Sequence, residues 1–105
     1  MGELRQREPR LEIPALIRAV RDLPCTIAIP GVCIGRDIVA CHSNEDRHGK
    51  GKGAKAHDCF IAAGCPPCHD WIDRNRHPER WDIMARARDR TLYLLFKNGK
   101  VKVTT

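Results

Sequence analysis

The sequence predicts a small α+β domain stapled by a structural metal. Three observations carry this reading. The chain has 105 residues, enough for one domain whose own apolar core is marginal. It carries six cysteines, two of them spaced Cys65-x2-Cys68, and small domains commonly add a disulfide or metal staple. Strand-like and helix-like segments are mixed along the chain, with no internal repeat and no second domain.

Residues 1–24 read as an arm followed by a short helix. Glu8-Pro9 interrupts the chain, and Pro14 suits a helix start. Leu16, Ile17 and Val20 recur at helical spacing, with Arg18 among them, and Leu23-Pro24 ends the run. Residues 25–105 carry the metal-binding remainder of what is one domain overall. The segment 25–35 is β-prone around a Pro30-Gly31 turn. Residues 37–42 read as a strand ending at His42. Residues 43–56 are polar, aperiodic and rich in Gly and Lys, and read as a loop on which His48 is solvated. Residues 57–63 read as a second strand. Pro67 suits the first turn of a helix that runs to about His77. Another helix starts at Pro78-Glu79, with Trp81, Ile83, Met84 and Ala87 as its apolar positions. Residues 91–96 read as a strand, and Asn98-Gly99 as the turn of a C-terminal β-hairpin returning through Val101 and Val103.

Nineteen Lys and Arg against thirteen Asp and Glu give a net charge of +6. No apolar run approaches the ~18–20 residues that span a bilayer, which excludes a helical membrane protein. The segment from Met1 to Arg10 is polar and charged, unlike an export signal. The expected compartment is therefore the cytoplasm, where reduced cysteines serve as metal ligands rather than as disulfides. Arg47, Lys50, Lys52 and Lys55 cluster in one Gly-rich stretch, and Arg74, Arg76, Arg80, Arg86, Arg88 and Arg90 follow. Nucleic acid is the commonest partner of such a surface. A solvated basic face is the alternative.

Cys65-x2-Cys68 has the spacing of a zinc knuckle. Cys25-x7-Cys33 is the best second pair, because its Ile-Pro-Gly turn can fold the two cysteines together. The competing readings are a redox dithiol, which the stiff Cys-Pro-Pro-Cys turn disfavours, and buried free thiols. Cys41 and Cys59 fall in expected strands as small buried hydrophobes and are the substitutes for a misassigned ligand. Among five histidines, His69, Asp73 and His77 follow one another at i, i+4 and i+8 on the expected helix. That row suits one divalent cation, and a strand histidine facing it suits a general base on water. Taken singly, Asp73 suits a surface ion pair and His77 a contact with the helix end.

Strand, histidine, loop, strand, knuckle and helix in this order resemble the ββα-metal finger of HNH (His-Me finger) endonucleases. The likeness is closer still to small prophage-encoded nucleases of the YbcO type. It rests on Cys25, Ile29-Pro30-Gly31-Val32-Cys33, His42, Asp58, Cys65-x2-Cys68-His69-Asp70-x-Ile72-Asp73-Arg74, His77 and the stretch from Arg90-Thr91 to Gly99. It spans about residues 22–102. The resemblance implies a zinc-stapled finger with an N-terminal helix and a C-terminal helix plus β-hairpin. It implies that His42 activates water and that Asp58 braces His42. It implies that His69 and Asp73, with His77 as a third candidate, hold a catalytic cation such as Mg²⁺ or Mn²⁺. Cys25, Cys33, Cys65 and Cys68 then hold structural Zn²⁺. Two positions depart from the pattern: Cys41 stands where many such fingers carry Asp or His, and Asp58 replaces Asn.

The expected function is a metal-dependent DNA endonuclease that hydrolyses phosphodiester bonds. Arg47, Lys50, Lys52, Lys55, Arg74 and Arg76 are its expected nucleic-acid contacts. The alternative is a non-catalytic, zinc-stapled nucleic-acid-binding module, and a protein-interaction zinc domain comes third. A homodimer through the apolar stretch Leu92 to Phe96 stays open.

Overall fold

A computed structural model of the chain describes residues 9–49 and 55–104. Helix α1 (Pro14–Val20) places Pro14 in its first turn, where a missing N–H leaves no intrahelical bond unmade. Its apolar face, Leu16, Ile17 and Val20, lies against the rest of the fold, with Val20 fully buried. Strands β1 (Val39–His42) and β2 (Ile61–Gly64) pair antiparallel, Val39 opposite Gly64 and His42 opposite Ile61. Both strands are shorter than the alternation in the sequence suggests. The segment 25–35 forms turns instead of a strand, with Ala28 and Gly31 both at positive φ.

All four residues of β2 are buried, so Ile-Ala-Ala-Gly is a strand covered on both faces. Small residues let the covering layers come close. A Cβ at Gly64 would stand 2.7 Å from the Ile27 side chain and 2.9 Å from Cys41 Sγ. Helix α2 (Pro66–Arg74) follows directly, and helix α3 (Arg80–Lys97) crosses β2. Two apolar clusters result. Ile27, Ile29, Cys41, Ala62, Ile72, Met84 and Ala87 form one, around Cys65 and Cys68. Val20, Leu23, Ile61, Ala63, Leu94 and Leu95 form the other. Helix α3 serves both clusters from one face, at the 3–4 spacing of a buried helical stripe.

Thr91 sits between the two clusters and is 1% exposed. Its hydroxyl donates to the Ala87 carbonyl at 2.8 Å and accepts the Ala63 N–H at 2.9 Å. Thr26 completes the edge of β2: its N–H and its hydroxyl both donate to the Ala63 carbonyl at 2.7 Å. The Ala63 N–H and carbonyl at the open edge of the sheet are thus satisfied by groups from two other segments. Thr91→Val keeps the shape but leaves the Ala63 N–H unpaired in the core. It is expected to cost about 1–3 kcal/mol, read from the urea midpoint. An unchanged midpoint would mean that the network contributes nothing net.

The C-terminal β-hairpin is not formed. Residues 91–96 continue α3 to Lys97. A short apolar run such as Leu92-Tyr93-Leu94-Leu95-Phe96 fits a strand or a buried helix equally, and leucine favours the helix. Asn98-Gly99 stops the helix instead of turning a hairpin. Gly99 lies at φ +72, its N–H bonds to the Phe96 carbonyl at 3.0 Å, and the Lys100 N–H reaches Leu95 at 2.8 Å. Those paired bonds are a Schellman stop, which needs the same left-handed glycine as a tight hairpin turn. Val101 then folds back onto the second cluster. No helix among the described residues is long and apolar enough to cross a membrane.

Candidate active site and metal centre

The sulfurs of Cys25, Cys33, Cys65 and Cys68 all lie within 4.8 Å of one another. Cys65 Sγ stands 3.9 Å from the Sγ atoms of both Cys25 and Cys33. A tetrahedral ion with Zn–S bonds of about 2.3 Å sets its sulfurs roughly 3.8 Å apart, so the quartet can hold a metal ion such as zinc. Local structure explains the fit. The Ile29 carbonyl accepts the N–H groups of Val32 and Cys33, at 3.0 and 2.9 Å, and this turn brings Cys33 back towards Cys25. Cys65 is the N-cap of α2 and Cys68 lies in its first turn. Backbone N–H groups point at the sulfurs: Ala28 and Cys65 at Cys25 Sγ, and Ile29 at Cys68 Sγ, each at 3.4 Å. Such donors stabilise thiolate charge. Burial opposes ionisation of Cys65, yet the amides of Ile34 and Cys68 together with the Cys68 and Cys25 thiols outweigh it and bring its thiol down to about 6. Burial wins at Cys68 and pushes its thiol up.

Cys41 stands apart from this quartet. It is fully buried in the first cluster, and burial pushes its thiol up to about 12. Strand alternation sends it to the face opposite its neighbour His42. Cys59 is exposed.

His42 ends β1 and meets Asp58 from the approach to β2, with Nε2 2.8 Å from Asp58 Oδ1. Asp58 is 3% exposed. Burial alone would raise its carboxyl. Hydrogen bonds from His42 and the Ile13 amide, together with the Arg10 charge, outweigh burial and hold it below the usual range. An ionised carboxylate only accepts, so the bond to Asp58 needs a proton on Nε2 of His42; in the neutral imidazole that leaves the lone pair on Nδ1. A lowered carboxyl contributes stability above its ordinary value and loses that contribution as pH falls through the lowered one. Between about pH 5 and pH 2, Asp58→Asn is therefore expected to lose less stability than the parent chain, read by urea midpoints across pH. Parallel losses would remove Asp58 from the acid transition.

His42 lines a cleft of about 310 Å³. His69 of α2 lines the same cleft, with Asn44, Lys55, Arg21 and Ile17. His69 Nε2 lies 3.4 Å from Asp73 Oδ2, one helical turn on. Asn44 Nδ2 donates to Asp73 Oδ1. An octahedral cation with ligands at about 2.1 Å sets adjacent donors roughly 3 Å apart, so the pair can supply two of its ligands.

His77 does not join them. Helix α2 stops at Arg74, and Asn75 is extended at φ −83, ψ 139. The i+8 position therefore lies beyond the helix, and Pro78 disfavours helical backbone at His77 itself. His77 Nδ1 instead accepts the Glu79 N–H at 3.1 Å, ahead of α3. His48 is not solvated either. It is 7% exposed, stacks on Phe60 at 4.3 Å, and its Nδ1 lies 2.6 Å from Ser43 Oγ. Arg88 of α3 reaches its Nε2 at 3.3 Å. These contacts pin the loop that carries Asn44.

Of the basic residues expected to touch nucleic acid, Lys55 lines the cleft. Arg76 is exposed. Arg47 pairs with Glu45 at 2.7 Å, and Arg74 with Asp70 at 2.6 Å. Lys50 and Lys52 lie outside the described residues. Arg10, Arg21 and Asn44 are the site residues that sequence reasoning missed. Arg21 follows the apolar stripe of α1, but nothing local marks it as lining the cleft. Arg10 meets Asp58 across 48 positions of chain.

No family model matches the chain. Two curated proteins do, "Putative nuclease YbcO" of Escherichia coli (strain K12) and "Putative nuclease ybcO" of Enterobacteria phage 82. Each is 36% identical over 94 residues, covering 83% of this chain and 96% of its own length. A solved chain described as "Structure of a putative bacteriophage protein from Escherichia coli str. K-12 substr. MG1655" superposes with a TM-score of 0.59. It is 28% identical and covers 79% of this chain and 98% of its own. At that identity and coverage, the chain belongs to the YbcO nuclease family.

Proposed function

We propose that the chain is a metal-dependent DNA endonuclease of the HNH (His-Me finger) type. One observation carries the reading: His42, braced by buried Asp58, shares one cleft with His69, which in turn neighbours Asp73. The order β1, β2, α2, with the cysteine knuckle leading into α2, supports the finger assignment.

His42 Nδ1 takes a proton from water, and the resulting hydroxide attacks the phosphorus. The bond from phosphorus to the leaving oxygen breaks, and that oxygen then takes up a proton. Asp58 holds His42 in the required tautomer and stabilises the imidazolium that forms. A divalent cation on His69 and Asp73 would neutralise charge on the phosphate and the leaving alkoxide. Arg21 and Lys55 line the cleft and can pair with flanking phosphates. Such contacts read no bases, so little sequence preference is expected.

The test is plasmid cleavage by zinc-loaded protein, with Mg²⁺ or Mn²⁺ added in turn after other metals are stripped. Metal-dependent conversion of supercoiled plasmid is the expected result. Salt-sensitive DNA binding without cleavage under any metal would replace this reading by the binding module.

A further inference from the structure

The N-terminal segment lies outside the finger resemblance, yet residues 10–13 run as a strap along the segment 56–58 that carries Asp58. The Leu11 carbonyl accepts the Asp58 N–H at 2.9 Å, and the Leu11 N–H donates to His57 Nδ1 at 2.9 Å. The Ile13 N–H donates to Asp58 Oδ2 at 2.7 Å. Arg10 donates to Asp58 Oδ1 at 2.7 Å, and its Nε donates to the Ala56 carbonyl at 3.3 Å. Arg10 Nη2, the nitrogen bonded to Asp58, lies 3.5 Å from His42 Nε2. Asp58 Oδ1 is therefore shared between Arg10 and His42.

We propose that this strap belongs to the catalytic apparatus, with Arg10 as a positioning residue that sets His42 through Asp58. The proposal rests on the nuclease reading of the cleft. A carboxylate held by a single partner can turn about its last torsion. Here Ile13 fixes one oxygen and Arg10 the other, so the carboxylate plane is set and Oδ1 keeps one direction open for His42. Arginine suits the task because it is always charged, has a rigid fork of donors and cannot accept a hydrogen bond. It cannot draw the Nε2 proton away from Asp58. A freely turning or protonated Asp58 would let His42 exchange tautomers and lose the Nδ1 lone pair. Facing His42 are Asp58 and Arg10 from the strap side, while Lys55, Arg21 and His69 share its cleft. Arg10 is not among the residues lining that cleft, so its effect reaches the reaction through Asp58.

The experiment compares zinc-loaded wild type, Arg10→Gln and Arg10→Lys in cleavage kinetics and in ¹⁵N spectra of His42. Arg10→Gln is expected to lose about 10–100-fold in kcat with KM within about twofold, as is usual when a partner that orients a site residue is removed. Arg10→Lys should recover part of the loss. His42 should be a single Nε2–H tautomer in the wild type and a mixture in Arg10→Gln. Wild-type kcat and tautomer in a folded Arg10→Gln would overturn the proposal, as would a loss carried by KM, which would make Arg10 a substrate contact. If the wild type cleaves nothing, the nuclease reading fails by itself and the tautomer comparison alone decides the strap. If Arg10→Gln does not fold, an Nδ1–H tautomer in the wild type still refutes the proposal.

Discussion

Replacing His42 by alanine is expected to lower plasmid cleavage by about 10²–10⁴-fold, the span usual for loss of a general base. DNA affinity at low salt should stay close to the parent value and the fold should persist, with stability lowered by the lost bond to Asp58. The imidazole is partly exposed at a strand end, and it leaves no cavity in either apolar cluster. Asp58→Asn is the sharper companion. The amide keeps the shape but removes the charge that stabilises the imidazolium, and it cannot accept at both oxygens from Arg10 and Ile13. A loss of about 10²-fold or more is expected, with folding intact at neutral pH. Cleavage that survives in His42→Ala would remove the general base from this site.

Stripping the metal from the cysteine quartet is the second large effect. Cys65 and Cys68 are fully buried and belong to the first apolar cluster, so the quartet is part of the core. Without a cation, nothing bridges the four sulfurs, and the turn from Cys25 to Cys33 loses what ties it to α2. In small metal-stapled domains the binding free energy is folding free energy. The expected results are one zinc per chain and loss of the cooperative thermal transition in strong chelator. Recovery should follow zinc addition, and Cys68→Ser should mimic the apo protein. Metal uptake should weaken as pH falls, because each ligand must shed its proton. An apo protein with a full thermal transition would show that the cluster is dispensable.

Most residues of both candidate centres were legible in the order of residues. The cysteine spacings name the quartet, His42 falls at a strand end, and His69 with Asp73 falls on one helical turn. These are local facts, carried by spacing and period, and the structure brings the same residues together. Local period could not distinguish a strand from a helix at Leu92 to Phe96. It also could not distinguish a hairpin turn from a helix stop at Asn98-Gly99, because both need the same backbone. His77 was misread because helical spacing was carried past Arg74, where the helix ends. His48 was misread because a polar loop gives no sign of the Phe60 and Arg88 that bury it. The tertiary structure alone decided that Arg10 and Ile13 hold Asp58, 48 and 45 positions away, and that Arg21 lines the cleft. The physical reason is that a buried carboxylate needs partners from whichever segment the fold brings to it. Those partners come from packing and leave no mark in the order of residues.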